Sequence, residues 1–216
     1  MQEEGVVAGI GVLRQREKIA VFAMYATMAI FALTAVGEVL ELAGVIDLTY
    51  GAEEPLAMIY AVILLVNFVI YIGSVIAVAM WIYRAHANLH AAALPGLEFT
   101  LGWAVGWYFI PIAFLFKPYQ AMKELWRESF QTGDSYSAPP PATLSGWWGF
   151  WIVGVLAGNI STRVSLMGDG ANVQVALVIG LVSSVAMVGS AWLLMRIIRE
   201  VTAAQANGFV AAQIFE

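Results

Sequence analysis

The sequence predicts an all-α integral membrane protein with four transmembrane helices, a re-entrant or in-plane segment and an interfacial amphipathic helix. Composition is the first reason. Of 216 residues, 61% are apolar and 12% are charged, whereas a soluble domain is nearer half apolar and about a quarter charged. Patterning is the second: the apolar residues, at a mean hydropathy of +0.81, are gathered into long uncharged runs. The third is the distribution of Lys and Arg, which cluster at one end of those runs.

Residues 19–37 carry no charge and, at 1.5 Å per residue, span the roughly 30 Å of a hydrocarbon core. Arg14, Arg16 and Lys18 precede this run, but Glu3, Glu4 and Glu17 are out of place in a cleaved leader, and the run is long for one. It is read as a retained first span. Glu38 and Glu41 close it. A short acidic loop with Asp47, Glu53 and Glu54 follows, and then a second uncharged run over residues 56–83, with Pro55 suited to a first helical turn. The third apolar stretch, 99–116, is interrupted by Gly102, Gly106 and Pro111. The fourth opens on Trp147, Trp148 and Trp151 and reaches Arg163, and the fifth covers 173–195, ending at Arg196 and Arg199.

Counting cations decides how many of the five stretches cross. With the N-terminus cytoplasmic and 99–116 not crossing, Arg14, Arg16, Lys18, Arg84, Lys117, Lys123, Arg127, Arg196 and Arg199 all face the cytoplasm and only Arg163 lies outside. If 99–116 crosses, the ten basic residues divide evenly. The first arrangement carries the usual bias of cytoplasmic connectors toward positive charge. It implies four spans with both termini inside, and a 99–116 segment that packs against the bundle, because irregular backbone at membrane depth must be shielded from lipid.

Residues 117–130 read as an amphipathic helix at the headgroup boundary. Tyr119, Met122, Trp126 and Phe130 share one stripe, with Lys117, Gln120, Lys123, Glu124, Arg127 and Glu128 opposite. Residues 131–146, with Pro139, Pro140 and Pro141, form a linker. The chain thus divides into a cytoplasmic tail (1–17), a first membrane half (18–130), the linker (131–146), a second membrane half (147–200) and a second tail (201–216).

Three segments carry a more specific pattern: WIYRAHANLHA at 81–91, GWAVGWYFIPIAFLFKPYQAMKELW at 102–126 and IREVTAAQ at 198–205. They resemble the bacterial membrane family DUF4328, a domain of unknown function. The resemblance rests on Trp81, Arg84 and Asn88, then Gly102-Trp103, Gly106-Trp107 and Pro111, then Pro118-Tyr119-Gln120; Glu124 and Trp126 complete the second segment as further candidate interaction residues. Thr100-Leu101 stand where the family often has Ser-Pro. Phe114 and Phe116 stand where it often has Asn and Trp, which weakens a polar-ligand role for that segment. The resemblance implies a bacterial inner-membrane protein and no particular activity.

Several side chains invite a chemical reading. His86 and His90, spaced i, i+4, share a helix face and are the weak candidates for a metal or haem; their plainer role is as polar residues at a helix end. Arg84 and Asn88 form a second i, i+4 pair. Arg84 is placed to pair with Glu124, and Asn88 to satisfy backbone freed near Pro111, clamping 99–116 to the second span. Glu38 and Glu41 end the first span on one face, as headgroup residues or as part of a polar path, and Asn67 sits at mid-span as a helix–helix hydrogen bond or a path residue. Gly154/Gly158 and Gly180/Ser184 have the spacing that lets helix backbones approach closely.

No nucleophile motif, phosphate-binding loop or dinucleotide fingerprint is visible, and there is no cysteine. The sequence points away from an enzyme, a resident cofactor and nucleic acid. Its leading reading is a membrane interaction or scaffold protein that contacts lipid, with a protein partner or a second copy as further contacts. A channel or carrier for an ion or small solute, through Glu38, Glu41 and Asn67, is the alternative. A His86/His90 metal or haem protein is the third.

Overall fold

The computed structural model describes residues 2–46, 55–94, 96–130, 141–167 and 170–214. Asp47, Glu53 and Glu54 of the acidic loop, and 131–140 of the linker, lie outside the described residues. Among the described residues all regular structure is helical: α1 (Gln2–Leu42), α2 (Pro55–Ala91), α3 (Leu101–Gly106), α4 (Lys117–Ser129), α5 (Ala142–Ser165) and α6 (Gly170–Ile214), with 3-10 turns at Trp107–Phe109 and Ala113–Leu115.

Three of these helices contain a stretch long and apolar enough to cross a membrane: Ala8–Leu42, Pro55–Ala91 and Asn172–Gly208. Their outward faces carry Phe22, Leu65, Val69 and Val185 in the open. So continuous an apolar surface is stable in hydrocarbon and costly in water. The chain is a membrane protein. The α5 helix, the expected third span, is 24 residues long, about 36 Å of helix, but it is not among the helices with a stretch of that apolarity.

Residues 99–116 do not form one continuous helix. A six-residue helix gives way to a 3-10 turn, and the chain then reverses about Ile112, whose φ of 67° is costly for a β-branched residue. Ala113 N donates to Pro111 O at 2.7 Å across this residue, closing a γ-turn. Pro111, which lacks an N–H and restricts the residue before it, is the local reason the helix cannot continue.

The described residues fall into two compact units, and α1, α2, α5 and α6 each lend a segment to both. The first unit comprises residues 1–22, 75–145 and 193–216. Its core is Leu13, Trp81, Ala85, Leu89, Met122, Leu125, Leu144, Ile197, Ile198 and Val201. The second comprises residues 23–74 and 146–192. Its helices are held by small residues and hydroxyls. A Cβ on Gly154 would stand 2.6 Å from Met187 Sδ, and one on Gly37 would collide with the Tyr60 ring. Ser183 Oγ donates to Gly154 O at 2.8 Å, Ser161 Oγ to Ala176 O at 2.7 Å and Ser190 Oγ to Trp147 O at 3.3 Å. The small-residue spacings of α5 and α6 therefore serve contacts within the chain.

Candidate functional site

In the second unit, α1, α2, α5 and α6 line an open cavity of about 840 Å3, within the range of small-molecule sites. Along α1 it runs from Phe31 through Thr34 and Glu38 to Glu41, about 15 Å at the helical rise. Tyr60, Leu64, Asn67, Phe68 and Tyr71 line it from α2, Ser161, Thr162 and Ser165 from α5, and Gly180, Ser183, Ser184 and Met187 from α6. The three residues singled out in sequence as a polar path, Glu38, Glu41 and Asn67, thus line one cavity.

Glu38 is 7% exposed. Ser184 hydrogen-bonds its carboxylate, yet Oε2 is buried without a hydrogen-bond partner. Gly180 permits this placement, since a Cβ there would lie 2.5 Å from Glu38 Oε1 and 3.2 Å from Ser161 Oγ. A headgroup role would leave the carboxylate in water; the structure instead encloses it. Asn67 does what its depth predicts, donating through Nδ2 to Thr34 Oγ1 at 2.8 Å, while its side also faces the cavity. Thr34 returns its own hydroxyl to Ile30 O at 3.0 Å. Phe31 and Tyr71 meet edge-on, with ring centroids 6.3 Å apart.

The family-pattern residues lie in the first unit and form a different kind of site. Trp81 Nε1 donates to Thr202 Oγ1 at 3.0 Å. Arg84 donates through Nε and Nη2 to Asn88 Oδ1, at 3.0 and 2.7 Å. Asn88 Nδ2 reaches Gln205 Oε1 at 3.1 Å, and Gln205 Nε2 donates to Ala85 O at 3.2 Å and Ser129 Oγ at 3.0 Å. Gln205 is the hub that ties α2 and α4 to α6.

The expected clamp is built from other pairings. Glu124 does not meet Arg84: its Oε2 accepts from Glu98 N at 2.6 Å and its Oε1 from Phe99 N at 3.2 Å. Asn88 serves Gln205 and not the backbone near Pro111. The physical reason is that the turn entering α3 presents two backbone donors that need an acceptor, while Arg84 finds one a single turn along its own helix. Burial raises the Glu124 pKa above its ordinary value, against the two N–H groups that lower it; Glu98 and Glu128 raise it further. The faces of α4 also differ from the expected ones. Glu124 and Glu128 are buried with Pro118, Ala121, Met122 and Leu125, and Tyr119, Trp126 and Phe130 are half-buried. Trp126 stacks on Phe130 at 4.6 Å, and Gln120 faces out.

Trp103 and Trp107 pack at 4.7 Å, and Lys117 Nζ lies over the Phe99 and Trp107 rings at 5.8 and 5.7 Å. His86 Nδ1 lies 3.0 Å from Ile82 O and His90 Nε2 3.0 Å from Phe99 O. Each ring is thus engaged with backbone, and among the described residues no three His, Cys, Asp or Glu side chains gather as a metal-binding group.

A family model described as domain of unknown function (DUF4328) matches residues 47–203. The chain belongs to the DUF4328 family. The matched DUF4328 region holds the 81–91 and 102–126 segments and all but the last two residues of 198–205, together with the cavity-lining residues of α2, α5 and α6; Glu38 and Glu41 precede it, and Gln205 lies just beyond it. No curated protein and no solved structure matches the chain.

Sequence reasoning missed Gln205, Ser129 and Thr202 as network members and Tyr60, Tyr71, Ser161 and Ser184 as cavity residues. A signal for the second group was available. Ser161, Thr162 and Ser165 on α5, and Gly180, Ser183, Ser184 and Met187 on α6, recur at i, i+3, i+4 spacing, a stripe of hydroxyls with one Gly and one Met on otherwise apolar helices.

Proposed function

We propose that this DUF4328 protein is a channel or carrier that admits a small polar or charged solute into the cavity of its second unit. The observation that carries this reading is the buried Glu38 carboxylate, with one unpartnered oxygen, on the wall of a cavity large enough for a small molecule. A buried acid without full hydrogen bonding is costly inside a membrane helix and is retained where a pathway needs it. The cavity therefore favours the transport reading over the scaffold reading to which the aromatic 99–126 segment pointed.

In this proposal α5 is the fourth span, supported by its 24-residue length and by its close contacts with α6 at Gly154 and Gly158. The 99–116 segment lies in the plane of the cytoplasmic leaflet of the inner membrane, with both termini on that side. Its short broken helices and its outward Trp103, Phe109 and Ile112 support that placement, because such side chains favour the interfacial zone. Lipid is its partner at this surface.

Liposomes containing the purified protein test the function. Solute or ion flux above that of empty vesicles, reduced by Glu38→Gln and Asn67→Leu, is the expected result. Flux equal to empty vesicles across cations, anions and neutral solutes refutes it.

A further inference from the structure

We infer that the occupant of the cavity is a monovalent organic cation with an apolar or aromatic body. This assignment rests on the transport reading above and names its substrate class. Charge decides the sign. Two carboxylates, Glu38 and Glu41, line the cavity, and among the described residues no Lys, Arg or His does, so an anion would meet repulsion there. The free Oε2 of Glu38 needs a partner of positive charge or a donor hydrogen to offset its burial.

Size and lining decide between a metal ion and an organic cation. A bare divalent ion takes six or more oxygen ligands at roughly 2–2.6 Å, usually with several carboxylates converging. Among the described residues two acids line a space of about 840 Å3, together with the rings of Tyr60, Phe68, Phe31 and Tyr71. Aromatic faces attract organic cations through the ring quadrupole, most strongly when water is excluded. Tyr60 is 5% exposed and lies within electrostatic reach of both Glu38 and Glu41. One buried carboxylate beside aromatic walls thus suits a single positive charge carried on an apolar frame, and the rest of the frame would rest on Leu64 and Met187.

The test uses the full-length protein in lipid nanodiscs and tetraphenylphosphonium as the probe. Saturable binding is expected, weakened at least tenfold by Glu38→Gln and severalfold by Tyr60→Leu. Flux of the same probe into proteoliposomes is expected to follow the same order. Size-exclusion and melting profiles of each variant establish that it folds; where Glu38→Gln does not, Tyr60→Leu and Glu41→Gln carry the comparison. Equal binding to wild type and variants means partition into lipid and overturns the assignment. Glu38-dependent flux of sodium, or of a neutral solute, without probe binding overturns the organic-cation assignment while leaving the transport reading in place. Absence of all binding and flux, together with failure of a water-soluble thiol reagent to reach a cysteine placed at Leu177, overturns both.

Discussion

Replacing Glu124 by Ala tests the clamp that orders the 99–116 segment. The carboxylate accepts two backbone hydrogen bonds, 2.6 Å from Glu98 N and 3.2 Å from Phe99 N. Bonds to a charged group contribute about 1.5–3 kcal/mol each, and the longer one belongs at the low end. Water reaches the exposed Glu98, but Phe99 is buried, so its N–H loses its partner outright. The expected cost is therefore about 2–4 kcal/mol. Glu124→Gln keeps one acceptor oxygen and should lose about half of that. The chain contains no cysteine, so a single cysteine at the buried Ala104 reports on the segment directly. In Glu124→Ala its labelling rate should rise several-fold, and denaturant unfolding of the detergent-solubilised protein should show the lost stability. A change below about 0.5 kcal/mol with unaltered labelling would refute the argument. The same residue sets a pH dependence. Burial holds the folded-state pKa of Glu124 above its ordinary 4.5. The proton-linked stability is then complete below about pH 4.5 and is lost as the pH rises through the folded-state pKa. Wild type should lose that increment on going from acid toward neutral pH, and Glu124→Gln should not.

Gln205→Leu removes the hub of the first unit and strands the Asn88 amide, the Ala85 carbonyl and the Ser129 hydroxyl; a loss of about 2–4 kcal/mol is expected in the same unfolding assay. Gly154→Ile overfills the contact with Met187 and should cost about 1–3 kcal/mol, while Gly154→Ala should cost less, because the flexible Met187 tail can shift. Ala93 ends α2 at φ 52°, with its N–H on His90 O at 3.1 Å. Ala93→Gly relieves about 1–2 kcal/mol of left-handed strain and gives back about 0.5–1 kcal/mol of chain entropy, for a small net stabilisation visible as a raised melting temperature.

Much of the molecule was legible in the one-dimensional pattern. Uncharged runs at 19–37 and 56–83 demand helices, because backbone N–H and C=O groups in hydrocarbon have no other partners. Pro111 announced the break in 99–116, and Pro118 the start of α4. The polar outliers Glu38, Glu41 and Asn67 marked the cavity because an apolar run makes any polar residue conspicuous. What these residues face was another matter. Side-chain types at 124 and 84 suggested an ion pair, but the choice between a salt bridge and two backbone donors depends on where the chain turns at 98–99, which is a property of three-dimensional packing. The amphipathic pattern of 117–130 likewise located the helix and not the orientation of its faces, since a carboxylate such as Glu124 can be buried once donors come to meet it. Gln205 and Asn88 are 117 residues apart, and Glu38 and Gly180 lie on helices from opposite ends of the chain. Pattern and solvent preference act locally along the sequence and determined that this protein is a set of membrane helices. Only the tertiary structure decided that four of them part around a buried carboxylate, because a cavity is made by surfaces that no single segment carries.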